Sequence, residues 1–164
     1  MKNVILSISL LLVSVCFGQN GIPTGKWRTH FTYKDAVFCE ATNNYVYAST
    51  DQGFWRTTNT GEMTKLLRTD GFHGGEISQL CFNQASNTLF IGYLDGSIDL
   101  LINDNKITNI PGFYSKFLQG DKRINHVTFN NREALVSTNF GLLIIDLDKK
   151  EIKDSYTSIG TGGV

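Results

Sequence analysis

An excess of charge of either sign is missing from this chain. Fifteen Lys+Arg stand against fifteen Asp+Glu in 164 residues. That balance gives no basic field to draw nucleic acid and no strongly anionic surface. Histidine and cysteine are scarce, three of each, and no Cys/His spacing suggests zinc. His30, His73 and His126 are 43 and 53 residues apart, which is neither ligand nor triad spacing, so packing or surface roles are expected. No Gly-x-Ser-x-Gly nucleophile elbow occurs. Gly160-Thr161-Gly162-Gly163 lacks the lysine and the strand-to-helix context of a phosphate loop. Asn103-Asp104-Asn105 lacks the rest of a calcium loop and reads as a turn. Strong helix signals are absent. No catalytic, cofactor-binding or metal-binding residue is therefore expected, and the chain is expected not to be an enzyme.

What is present leans toward β-structure: 11 Phe, 6 Tyr and 16 Gly, with only 2 Pro and 2 Met. Hydrophobic residues make up 41% and charged residues 18%, an ordinary globular profile. The first 18 residues stand apart. Lys2 precedes an apolar stretch from Val4 to Val15, and Cys16-Phe17-Gly18 puts small residues where a signal peptidase reads. This is the pattern of a secretory signal, too short to span a bilayer comfortably, with Gln19 as the mature start. Cys16 is alternatively a lipoprotein cysteine. An exported chain can form disulfides. Cys39 and Cys81 nevertheless sit in apolar runs, Val37-Phe38-Cys39 and Leu80-Cys81-Phe82, and are expected as two buried small hydrophobes.

A repeat runs along the rest. Tyr45-Val46-Tyr47-Ala48-Ser49-Thr50-Asp51-Gln52-Gly53-Phe54-Trp55 aligns with 88–98 and with 133–143, on anchor glycines Gly53, Gly96 and Gly141 that are 43 and 45 residues apart. A polar turn pair precedes each segment: Asn43-Asn44, Ser86-Asn87 and Asn130-Asn131. Ahead of each turn is an apolar strand: Ala36 to Glu40, Ile77 to Phe82 and Ile124 to Phe129. After each glycine hairpin comes a fourth run: Thr64 to Leu67, Lys106 to Ile110 and Glu151 to Tyr156. Each glycine follows a polar turn residue and is expected at positive φ in a three-residue, bulged hairpin loop. The second strand of each unit is nearly all apolar or small, as in a strand covered on both faces.

Four antiparallel strands per unit of about 40–45 residues mark a β-propeller blade. A β-sandwich, the alternative, needs no such self-similarity. The fold class is all-β: an incomplete β-propeller of about three four-stranded antiparallel blades. The expected organisation is a signal peptide at 1–18, a leading segment with a first strand at 19–33, and a partial propeller at 34–164 with repeats near 34–71, 72–118 and 119–160. Propellers typically have four to eight blades. The chain is therefore expected to be an N-terminal fragment of a longer protein, and to associate through its open blade faces if made alone.

Gly25-Lys26-Trp27-Arg28-Thr29-His30-Phe31-Thr32-Tyr33, Asp70-Gly71-Phe72, Ile91-Gly92-Tyr93-Leu94-Asp95-Gly96-Ser97-Ile98-Asp99-Leu100 and Gly120-Asp121-Lys122-Arg123-Ile124-Asn125 follow one another in the chain. In this order they resemble the N-terminal β-propeller of the PorZ family, surface components of the type IX secretion system in Bacteroidetes. The chain is more loosely similar to the propeller repeats of two-component regulators. Phe72 stands where the family would have leucine. The resemblance implies a non-enzymatic, exported, cell-surface or periplasmic protein. It implies partners among secretion-complex proteins, a sortase-like protease and outer-membrane components, and possible contact with anionic lipopolysaccharide, but not nucleic acid. It implies no cofactor. A sensory propeller of a two-component regulator is the alternative, and a propeller lyase or hydrolase a third reading. Trp27, Trp55, Tyr45, Tyr93, Phe113 and Tyr114 are candidate sugar-stacking or interface aromatics, with blade packing as the competing role. Asp121-Lys122-Arg123 reads as a solvated turn.

Overall fold

Among the described residues, twelve strands pair into three separate sheets of four, each antiparallel and in chain order. The structure, a computed structural model, describes residues 33–111 and 121–156. The expected signal at 1–18 with Cys16, the leading segment with Trp27 and His30, Phe113, Tyr114 and Gly160-Thr161-Gly162-Gly163 lie outside the described residues. Blade 1 consists of β1 (Phe38–Ala41), β2 (Val46–Ser49), β3 (Phe54–Thr57) and β4 (Met63–Lys65). Blade 2 consists of β5 (Ile77–Asn83), β6 (Thr88–Tyr93), β7 (Ile98–Ile102) and β8 (Lys106–Ile110). Blade 3 consists of β9 (Ile124–Asn130), β10 (Glu133–Thr138), β11 (Gly141–Asp146) and β12 (Glu151–Tyr156). A 3-10 turn, Arg68–Asp70, leads from blade 1 toward blade 2 and stops at Gly71, whose φ of 105° reverses the chain. All three sheets belong to one compact unit.

The turns close where the polar residues stand. Asn87 and Asn131 take left-handed φ of 47° and 53°, a conformation their short side chains tolerate. Asn103 and Asp104 do the same between β7 and β8, at 51° and 58°. The glycine hairpins differ from expectation. Only blade 2 has the three-residue loop, Leu94-Asp95-Gly96, with Gly96 at φ 86° and the Tyr93 N–H donating to Ser97 O at 3.0 Å. In blade 3, Thr138 pairs directly with Gly141, which opens β11. In blade 1 the Thr50 N–H donates to Gly53 O at 2.8 Å, and Gly53 is not at positive φ. Gly141, at the expected positive φ (128°), thus opens β11, and Gly53 directly precedes β3, because a two-residue loop already completes each reversal.

Alternation along the strands sorts side chains between blades. On β6, Leu89, Ile91 and Tyr93 join Tyr47, Phe54 and Leu80 in a core between blades 1 and 2. Phe90 instead joins Ile98, Leu100, Ile124, Val136 and Leu143 in a core between blades 2 and 3. Every residue of β6 is therefore buried, whereas β10 alternates between buried and half-buried. The second strand is covered on both faces only in the middle blade. Gly92 sits on the face of β6 toward blade 3, where an added Cβ would lie 3.0 Å from Ile124 Cδ1 and 3.2 Å from Phe90 Cε1. Its missing side chain is what lets blade 3 approach.

The first strands of neighbouring blades come closest to each other, as in wedges converging on their inner edges. Polar bonds pin the seams. Phe82 N–H donates to Glu40 Oε1 at 2.9 Å, and Gln79 Nε2 to Asn125 O at 2.8 Å. Asn43 Nδ2 donates to Asn87 Oδ1 at 3.0 Å, and Asn83 Nδ2 to Asn131 O at 2.6 Å. The turn pairs that mark the repeat in sequence thus also join blade to blade.

Candidate functional site

The motif residues are largely occupied with holding the frame. Asp99 is wholly buried and accepts from Tyr93 Oη at 2.8 Å, the His73 backbone N–H at 2.7 Å and Asn109 Nδ2 at 2.5 Å. Three donors satisfy a carboxylate that burial alone would make costly. Burial and the neighbouring Asp99 carboxylate push the Tyr93 hydroxyl well above its ordinary pKa. In blade 3, Asp121 accepts from Arg123 N–H at 2.9 Å and from Asn139 Nδ2 at 2.7 Å, and Asn125 Nδ2 donates to Asn139 Oδ1 at 2.8 Å. Asp121-Lys122-Arg123 is thus a turn that fixes the approach to β9.

His73, Asp95 and Ser97 meet, a juxtaposition that sequence spacing concealed. His73 Nε2 lies 2.8 Å from Asp95 Oδ2 and 3.0 Å from Ser97 Oγ. Acid and hydroxyl both address the same ring nitrogen, so there is no relay from carboxylate through imidazole to a nucleophile. Ser97 is also buried. Burial would raise the Asp95 carboxyl, but bonds from the Ser97 N–H and hydroxyl and from His73 hold it below the usual carboxylate range. The cluster ties the incoming connection to the β6–β7 hairpin. His126 is exposed on β9, apart from it.

The expectation for the cysteines is corrected. Cys39 is exposed and Cys81 half-buried, so neither is a fully buried hydrophobe. Cys39 pairs with Ala48, opposite in face to Tyr47, and Cys81 pairs with Phe90, which faces blade 3. The two thiols point to different sides of different blades and are free. Burial, with the Glu40 carboxylate adding to it, pushes the Cys81 thiol up to about 11. Of the candidate aromatics, Trp55 and Tyr93 are buried, at 5% and 2% exposure, in keeping with the packing reading, and Tyr93 belongs to the core between blades 1 and 2. Trp55 meets the edge of Tyr33 at 5.1 Å.

The remaining chemistry gathers between blades 1 and 2, around a cleft of about 340 Å³. Its floor is apolar: Leu66 and Phe72 on one side, Leu101 and Ile107 on the other. Arg56 of β3 overlooks it, held by the Tyr45 ring 4.3 Å beneath its guanidinium and by a 2.7 Å bond from Nη1 to Asp104 O. The Asp104 carboxylate enters from the β7–β8 turn and accepts from Tyr47 Oη at 2.9 Å, Thr42 Oγ1 at 3.0 Å and Asn44 Nδ2 at 2.9 Å. What reads in sequence as a plain turn is therefore a tie between two blades. Burial raises the Tyr47 hydroxyl above its ordinary pKa; Arg56 opposes the rise and Asp104 adds to it.

Comparison with known proteins fits this architecture. The model of the type IX secretion system PorZ N-terminal β-propeller domain matches residues 41–162. The structure of PorZ from Porphyromonas gingivalis, described as an essential bacterial surface component of the type IX secretion system, aligns with a TM-score of 0.67 at 22% identity over 72% of this chain. AztD from Citrobacter koseri aligns at 0.56 with 19% identity over 79%, and the Cps50 (Swd1) β-propeller domain of Myceliophteria thermophila at 0.52 with 15% over 75%. At such identities the structures show a shared fold. The chain spans 16%, 36% and 41% of those three chains, respectively. Comparison with curated protein sequences gives no match.

Proposed function

Because the chain belongs to the family of the PorZ N-terminal β-propeller domain of the type IX secretion system, we propose that it serves that system as a non-enzymatic binding module on the outer side of the cell envelope. The observation that carries this reading is the family match across all three blades, residues 41–162. The chemistry supports it: the Ser/His/Asp encounter found among the described residues lacks relay geometry, and the buried acids Asp99 and Asp104 are each saturated by three donors. The partners we propose are secretion-complex proteins, a sortase-like protease and outer-membrane components among them, together with anionic lipopolysaccharide. Residues 1–18 act as the export signal in this reading, and the mature protein starts at Gln19. We also propose that the three blades form part of a larger wheel, since Leu135, Leu142 and Ile144 remain half-exposed on the outward side of blade 3.

Deleting the codons for residues 38–156 in the native host tests the role. Secretion cargo should disappear from the cell surface and accumulate in the periplasm, while unchanged surface display would overturn the reading. Immobilised anionic lipopolysaccharide should retain the intact protein, and equal retention by neutral lipopolysaccharide would remove the glycan from the partners.

A further inference from the structure

Arg56 breaks the rule of its own repeat. Strand register places Arg56 opposite Tyr47 in blade 1, Leu100 opposite Phe90 in blade 2 and Ile144 opposite Leu135 in blade 3. The position faces the next blade, and Leu100 there is wholly buried. Two blades fill it with an aliphatic side chain. Blade 1 fills it with a guanidinium whose Nε is buried without a hydrogen-bond partner. Such a local violation costs stability, and sites of this kind gather where function requires them.

Between blades 2 and 3, Leu100 at this position packs with Phe90, Val136 and Leu143. Between blades 1 and 2 a cavity of about 340 Å³ is left, within the size range of small-ligand sites. Arg56 brings five N–H donors; Nη1 bonds Asp104 O, the guanidinium also meets the Tyr47 hydroxyl, and Nε has no partner. Among the described residues no carboxylate forms an ion pair with it. Two carboxylates nevertheless line the cleft. Asp104 is saturated as above, and Asp70 accepts from the Leu67 N–H at 2.8 Å. Lys65 lines the cleft as well, so Arg56 and Lys65 balance the two carboxylates and leave no net positive charge to favour a free anion over a neutral group. At the rim, Thr64 and Asn105 are exposed and their side chains bond no described residue.

We propose that this cleft binds a neutral acyl-amide group on an apolar body. The amide oxygen accepts from Arg56, the amide N–H donates to Thr64 Oγ1 or Asn105 Oδ1, and the apolar body rests on Phe72, Leu101 and Ile107. Such a group comes from an uncharged peptide residue or from an N-acylated sugar. The site is independent of the secretion role and stands or falls by itself.

The test is a titration of the whole chain with N-acetyl-leucine amide and, separately, with N-acetylglucosamine, followed by NMR at the Arg56 Nε–H and the Leu101 and Ile107 methyls. Saturable shifts at these groups with either probe are expected, and the stronger binder identifies the source. Arg56→Leu, which restores the aliphatic pattern, should weaken binding roughly tenfold or more. Ile107→Trp, which keeps Arg56 and fills the cleft, should abolish it. N-acetyl-leucine, with its free carboxylate, should bind more weakly than the amide. Absence of saturable shifts with both probes, undiminished binding by Arg56→Leu, or tighter binding of the carboxylate would each overturn the proposal.

Discussion

Asp104 concentrates at one position what joins blade 1 to blade 2. Its φ of 58° suits Asp, Asn or Gly, and its carboxylate satisfies a Tyr47 hydroxyl that has no exposed surface. Asp104→Ala removes the acceptor and strains the backbone together, so it should cost about 2–4 kcal/mol in urea unfolding. Asp104→Asn keeps the turn and one acceptor and should cost clearly less; equal losses would show that the bond to Tyr47 contributes nothing. The cysteines separate by the same logic of surroundings. At pH 8 a thiol with a pKa of about 11 is only about one part in a thousand thiolate. An exposed-thiol reagent should therefore modify Cys39 promptly and Cys81 on the order of a hundred times more slowly. Simultaneous modification of both would contradict the burial of Cys81.

Hairpins and seams are the elements on which pH acts. The Asp95 carboxyl in the β6–β7 loop is held below its unfolded pKa, so its contribution is present above about pH 4 and fades as acid carries the pH down through the folded value. The group is largely solvent-exposed, which limits the effect to about 1 kcal/mol or less after screening. Asp95→Asn should accordingly narrow the stability difference between pH 7 and pH 3 in urea titrations, and an unchanged difference would assign acid sensitivity elsewhere. The strands themselves were legible from the sequence: β8 and β12 fall on the expected runs, β5 and β9 agree to within a residue, and β1 and β4 are each displaced at one end by two. The cleft was not, for one reason of register. Counting from the anchor glycines pairs Arg56 with Asp99, two charged residues, and hides the exception. The extra residue in the Leu94-Asp95-Gly96 loop shifts blade 2 by one, so that Arg56 stands against Leu100. A slip of one residue turns every side chain to the other face. Asp104 escaped for a different reason: a turn in the sequence says nothing of what its side chain reaches in the neighbouring blade.

On the scale of the whole molecule, blades 2 and 3 are unequal by position rather than by composition. Phe90, Ile98 and Leu100 are at 0, 1 and 0% exposure because blade 3 covers them. The register puts Leu135, Leu142 and Ile144 of blade 3 at the same three positions, and these are half-exposed. A β-sheet face of this kind gains from cover at about 25 cal/mol per Å² of apolar surface removed from water. The isolated chain should therefore associate as its concentration rises, read as a mass in light scattering above the 18.3 kDa of one copy. Replacing Leu142 and Ile144 together by Lys should return it to a single copy while leaving the β-sheet circular dichroism signal in place. The two residues flank Leu143, whose side chain points the opposite way into the core between blades 2 and 3, so the substitution changes the outward face and spares the packed one. A wild-type chain that stays at one copy over the accessible concentration range would mean that this face needs no cover, and the larger wheel proposed for it would lose its physical motive.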